Sequence, residues 1–138
     1  MKYRTIFITK FDLMRLEDLL AVAYEFDFRN RKDLETLDNE LANAKVVESK
    51  EVPPDVVTMN SRVAILHMDT GETREYTLVF PREADIDKGK LSIISPIGTA
   101  IIGYSEGDEI QWQVPAGTRR IKIKKVLYQP EASGNFEL

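Results

Sequence analysis

One histidine and no cysteine are all this chain offers for nucleophilic or soft-metal chemistry. The histidine, His67, lies between Leu66 and Met68 in a run with strand character, and no carboxylate stands at a spacing that would orient its ring. Catalysis of the Ser–His type needs a base beside the nucleophile and a third group fixing that base. His67 therefore reads as a structural or surface residue, and a zinc site, which takes several His or Cys ligands, is not expected. The missing cysteines also exclude a disulfide framework. The seven glycines build neither a Walker loop nor a G-x-G-x-x-G turn, so no nucleotide cofactor is expected. Glu83, Asp85 and Asp87 alternate ahead of Gly89, but without the twelve-residue frame and closing glutamate of a calcium loop. They read as a solvated acidic loop that can also meet a basic partner.

Three further groups could carry binding. Glu25, Phe26, Asp27 and Phe28 fall between two helical runs. Their aromatics either mark a contact or fold back, and the carboxylates are either an ordinary acidic turn or Mg²⁺ ligands. Arg119, Arg120, Lys122, Lys124 and Lys125 are interleaved with Ile121 and Ile123. On a strand this places Arg120, Lys122 and Lys124 on one face and the isoleucines in the core. A solvated sheet face is the plain reading and nucleic-acid contact the other, though the aromatic platform of single-strand binders is missing. Trp112 alternates with Ile110 and Val114, which assigns its ring to the core.

The elements that must position these groups follow from periodicity. With 138 residues, 43% hydrophobic and 30% charged, the chain is globular in composition. A net charge of −4 gives no general attraction to phosphates, so stable direct binding of nucleic acid is not expected. The first apolar run, Ile6 to Ile8, is too short for a signal peptide, and no segment reaches the length of a membrane span. The expectation is a cytoplasmic monomer. Leu13, Leu16, Leu20 and Ala23, then Leu34, Leu37, Leu41 and Ala44, repeat one helical stripe. Two such short helices, the first over 12–24 with Thr9 or Asp12 as its cap, gain stability by pairing as an antiparallel hairpin or short coiled coil. Pro53-Pro54 ends that part. This divides the chain into residues 1–51 and 52–138. From Val56 the period becomes two, with strands over 62–68, 73–80, 91–94, 110–114 and 119–128. A short helix follows Ser95 as cap and Pro96 as first residue, and Gly103 ends it. The fold class is α+β, an antiparallel sheet with one helix across a face.

The run Glu83 to Gly103, with Glu106-Gly107-Asp108-Glu109-Ile110, Val114-Pro115-Ala116-Gly117 and Val126-Leu127-Tyr128, resembles the C-terminal domain of the GreA/GreB transcript-cleavage factors. The segments Val52 to Val63 and Tyr128 to Ala132 resemble the Rnk type, the regulators of nucleoside diphosphate kinase. The resemblance implies an FKBP-like fold for the second part and docking at the secondary channel of bacterial RNA polymerase. It places the rim contact at Asp85, Ser95, Pro96 and Ile97, and it makes Glu25, Phe26, Asp27 and Phe28 the hairpin tip. The Gre arm is much longer than a 12–24 helix, which spans about 20 Å at 1.5 Å per residue. The implied protein is therefore a non-catalytic regulator that occupies the channel without cleavage, competes with longer factors and affects nucleoside diphosphate kinase levels. An interaction module with another partner and a Gre-like cleavage factor are the alternatives.

Overall fold

The computed structural model describes residues 6–26, 31–114 and 117–135. Its elements run β1 (Phe7–Thr9), α1 (Lys10–Phe26), α2 (Arg31–Ala42), β2 (Lys45–Val47), β3 (Arg62–His67), β4 (Glu72–Val79), β5 (Lys90–Ser92), α3 (Pro96–Ile101), β6 (Glu109–Val114) and β7 (Gly117–Tyr128). Two 3-10 turns, Pro81–Glu83 and Ile86–Lys88, join β4 to β5.

Thr9 decides where α1 begins. Its hydroxyl accepts the Asp12 amide at 3.0 Å, satisfying one of the orphan donors of the first turn. The helix therefore starts at Lys10, two residues before the sequence-based expectation. Leu16 and Leu20 of α1, with Leu37 and Leu41 of α2, are the buried members of the two stripes. β1 and β2 form a two-stranded parallel pair with Ile8 opposite Val46. Periodicity had not shown β2, because three residues are too few to display it.

The main sheet has the order β5-β4-β3-β7-β6. β3 pairs antiparallel with β4 and β7, and β7 with β6. β5 instead runs parallel to β4, with Leu78 opposite Leu91. The expectation of an antiparallel sheet is corrected at this edge. The two 3-10 turns carry the chain from the end of β4 back to its start, so β5 leaves in the same direction. Val63, Ile65, Tyr76, Leu78, Ile110, Ile121 and Ile123 point into the core, as alternation requires.

One hydrophobic cluster contains Ile6, Ile8, Leu16, Leu20, Leu37 and Leu41 together with Val57, Met59 and the inward residues of the main sheet. The helical part and the β part thus share a core. The segment Pro53–Val56 is held rather than hinged, since the buried Gln129 side chain donates to the carbonyls of Pro53 at 2.7 Å and Val56 at 2.8 Å.

Candidate functional site

A cleft of about 410 Å³ opens on the core side of the main sheet, at the end nearest α3. Leu91, Ile97 and Ile121 supply apolar wall, Ser95 and Pro96 one lip, and His67, Asp69, Thr70, Arg119 and Arg120 the other. The α3 lip is built from local bonds. Ser95 Oγ donates to the Ser92 carbonyl at 2.6 Å and accepts the Gly98 amide at 3.1 Å. Pro96 then occupies the first helical turn, where its missing N–H costs nothing. Pro96 is exposed and Ile97 half-buried, so both present apolar surface at the cleft mouth. Gly98 is required beneath them: a Cβ there would lie 2.1 Å from the Ser92 carbonyl oxygen.

The opposite lip comes from the β3–β4 turn and the start of β7. His67 pairs across the sheet with Ile121, and its Nε2 lies 2.9 Å from the Tyr76 hydroxyl, the rings meeting edge to face. Burial, then the charge of Arg74, push the His67 pKa below its ordinary value. Which of Nε2 and the Tyr76 hydroxyl donates in their bond depends on the imidazole tautomer. Among the described residues the side-chain hydrogen bond of His67 is to this tyrosine. Among the described residues no three His, Cys, Asp or Glu side chains converge as a metal site.

The sequence-identified rim residues separate in space. Ser95, Pro96 and Ile97 meet at the cleft, while Asp85 is not part of its lining. Asp85 exchanges two backbone bonds of 2.9 Å with Lys90 and opens the Ile86–Lys88 turn, which Gly89 ends at φ 72°. That turn lifts Ile86 to 65% exposure, a large apolar side chain beside the half-buried Asp85. Asp27 and Phe28 lie outside the described residues, as do the side chains of Glu25, Phe26 and Trp112. His67 and Arg119 were not assigned to the cleft from sequence, because only the strand registers bring them beside α3.

A second feature ties the helices to the sheet. The Asp12 carboxylate is buried, accepts the Met59 amide at 3.0 Å and takes Arg15 at 2.5 Å. Arg15 also stacks on the rings of Phe11 and Phe80, at 4.0 and 5.0 Å. Thr58, one residue before Met59, bonds Ser61 at 2.8 Å and donates to Glu131 at 2.7 Å. The start of α1, the loop before β3 and the tail after β7 are thereby locked together.

Comparison with known proteins places this architecture. Residues 52–128 match the family model "Transcription elongation factor, GreA/GreB, C-term", and residues 4–47 match "Rnk N-terminus". The chain is 36% identical over 135 residues to the regulator of nucleoside diphosphate kinase of Escherichia coli strain K12, covering 97% of both chains. It is 36% identical over 91 residues to the transcription elongation factor GreA of Listeria welshimeri, covering 66% of this chain and 57% of that one. Among solved structures, a prokaryotic GreA/GreB transcription elongation factor from Nitrosomonas europaea superposes with a TM-score of 0.72 at 42% identity, over 90% of this chain and all of that one.

Proposed function

We infer function from family: the chain belongs to the GreA/GreB transcription elongation factors, in the form that carries the Rnk N-terminus, and we propose that it regulates transcription by docking on RNA polymerase without cleaving the transcript. In this reading it is a cytoplasmic monomer. Residues 52–138 form an FKBP-like unit that rests on the rim of the secondary channel, and α1 and α2 form a short hairpin projecting from residues 1–51. Ser95, Pro96 and Ile97 make the rim contact through the cleft. Asp85, with the exposed Ile86 beside it, adds a second point, and the tip of Glu25, Phe26, Asp27 and Phe28 points into the channel.

The observation that carries the non-cleaving part is the size and anchoring of the arm. α1 has 17 residues, about 26 Å at 1.5 Å per residue. Its Leu16 and Leu20 are buried in the core shared with the sheet, so only the last turns are available to project. An α1 of that length, anchored on its own β domain, falls short of the polymerase active site when that domain sits on the rim. Such a factor acts by occupancy, competing with longer-armed relatives by mass action. An effect on nucleoside diphosphate kinase levels then follows from altered transcription and needs no catalytic group.

Binding to purified core RNA polymerase, with GreA as competitor, tests this. Saturable binding that GreA displaces is the expected result, with stalled complexes showing no added cleavage. Failure to bind at micromolar protein would remove the docking reading. Cleavage lost on Glu25 or Asp27 substitution would replace it with a Gre-like activity.

A further inference from the structure

The face of the main sheet turned away from the core is open and cationic. The strand registers place its side chains in rows. Lys90, Thr77, Arg62 and Tyr128 form one row; Glu75, Ala64 and Lys125 the next; Thr73, Leu66, Lys122 and Glu109 a third. Arg120 stands opposite Gln111 at the end. Most of these are exposed, and Ala64, Leu66, Thr77, Lys122 and Tyr128 are half-exposed, so among the described residues no helix covers them.

A bulge concentrates the charge. The β3–β7 register shifts between Ala64 and Ile65, so that Ile65 faces Ile123 while Ala64 faces Lys125. Lys124 is the extra residue. Strict alternation would have turned Lys125 inward; the bulge keeps Ile123 buried and leaves both Lys124 and Lys125 exposed. The acidic residues of the face are already engaged: Glu75 pairs with Arg62, and Glu109 with Arg120 at 3.8 Å. Lys90, Lys122, Lys124 and Lys125 make no ion pair among the described residues. In a chain of net charge −4, four uncompensated lysines on one sheet face are a local reversal of sign.

We propose that this face holds the phosphate backbone of single-stranded RNA. The free cations are lysines, point charges suited to phosphates, whereas the two arginines, whose planar forks suit carboxylates, are occupied by Glu75 and Glu109. This favours a nucleic-acid strand over an acidic protein. Among the described residues no aromatic ring stands among the lysines apart from Tyr128 at the corner, so contact is with the backbone and independent of base sequence. The cleft opens on the other side of the sheet and meets this face only at its edge, through Arg120, so a factor docked through the cleft leaves Lys122, Lys124 and Lys125 free. RNA is the strand that a polymerase-bound factor meets, and in that clause alone the proposal rests on the docking reading.

The test uses the full chain, without polymerase, and a fluorescein-labelled 20-nucleotide RNA of mixed sequence, read by anisotropy. Four phosphate contacts give a slope of log K against log salt near −3, so binding weakens about 50-fold between 50 and 200 mM salt. Replacing Lys122, Lys124 and Lys125 together by Gln lowers affinity at least tenfold and flattens the slope. The charge-matched replacement of Lys10, Lys45 and Lys50, exposed elsewhere, changes affinity less than twofold. Absence of binding at 50 mM salt overturns the proposal, as does equal loss in the two triple variants. Displacement of the RNA by polyglutamate at equal charge concentration would assign the face to acidic protein instead. Because polymerase is absent, failure here leaves the docking reading untouched.

Discussion

The Asp12 carboxylate, on the first turn of α1, accepts the backbone amide of Met59, 47 positions along the chain, at 3.0 Å. This bond, with Arg15 on the other carboxylate oxygen, fixes how the helical part sits on the sheet. Asp12→Ala would leave a buried amide without an acceptor and take a carboxylate away from Arg15. The expected loss is about 2–4 kcal/mol of unfolding free energy. Urea unfolding followed by circular dichroism checks it. A variant within about 0.5 kcal/mol of the parent, the ordinary range for a surface substitution, would show that the contact does not anchor the helices.

The same cluster predicts a pH dependence. Burial raises the Asp12 pKa above 3.8, against the lowering effect of Met59, Arg15 and Thr9. Burial likewise raises Glu131 above 4.5, opposed by its bond from Thr58 and reinforced by the charge of Asp12. The folded state therefore holds these protons to higher pH than the unfolded chain does. That contribution is complete below the unfolded pKa values and is lost as pH rises through the folded ones. Glu131→Gln keeps an oxygen for Thr58 and removes the charge, so it is expected to be the more stable protein at pH 7. Its advantage should shrink as pH falls from 7 toward 4.5 in paired melting curves. An advantage that grows on acidification would contradict the assignment.

These long-range ties mark where the sequence stops being informative. The stripes of Leu16, Leu20, Leu37 and Leu41, the alternation of Val63 and Ile65, and the Ser95-Pro96 helix start were legible, because each is set by neighbours within a turn or a pleat. The parallel β5 edge was not, because its direction depends on two 3-10 turns. Nor was the Lys124 bulge, which is a property of pairing with β3 and cancels the alternation that sequence alone suggests. At the candidate site Ser95, Pro96 and Ile97 were readable as a motif. His67 and Arg119 join that cleft only through strand register.

Glycine positions separate conformational cost from steric cost. Gly71 has φ 79° with nothing within 4 Å of an added Cβ, whereas a Cβ on Gly98 would meet the Ser92 carbonyl oxygen at 2.1 Å. Gly71→Ala is expected to cost about 1–2 kcal/mol from the left-handed backbone alone. Gly98→Ala forces backbone away from backbone under α3 and should cost more than about 4 kcal/mol, at the exceptional end for a point mutant. Soluble yield and urea midpoints compare them. Equal, mild effects would mean that α3 is not seated on the chain leaving β5.

Ser95 links the stability of α3 to the proposed docking. Its hydroxyl both caps the helix at Gly98 and bonds the Ser92 carbonyl, and the next two residues, Pro96 and Ile97, form the cleft lip. Ser95→Ala removes a cap worth about 1 kcal/mol, or roughly 3–5 °C of melting temperature at this chain length. If the lip is the rim contact, affinity for RNA polymerase should fall as well, since the first turn carrying Pro96 and Ile97 is no longer held. Ser95→Thr keeps the hydroxyl and should restore both melting temperature and binding. Pro96→Glu, at an exposed position without a hydrogen bond to lose, should leave the melting temperature within about 2 °C, as expected of a surface substitution, yet weaken binding at least tenfold. If Pro96→Glu binds polymerase as well as the parent, the lip is not the docking surface, and the exposed Ile86 beside Asp85 becomes the next position to substitute.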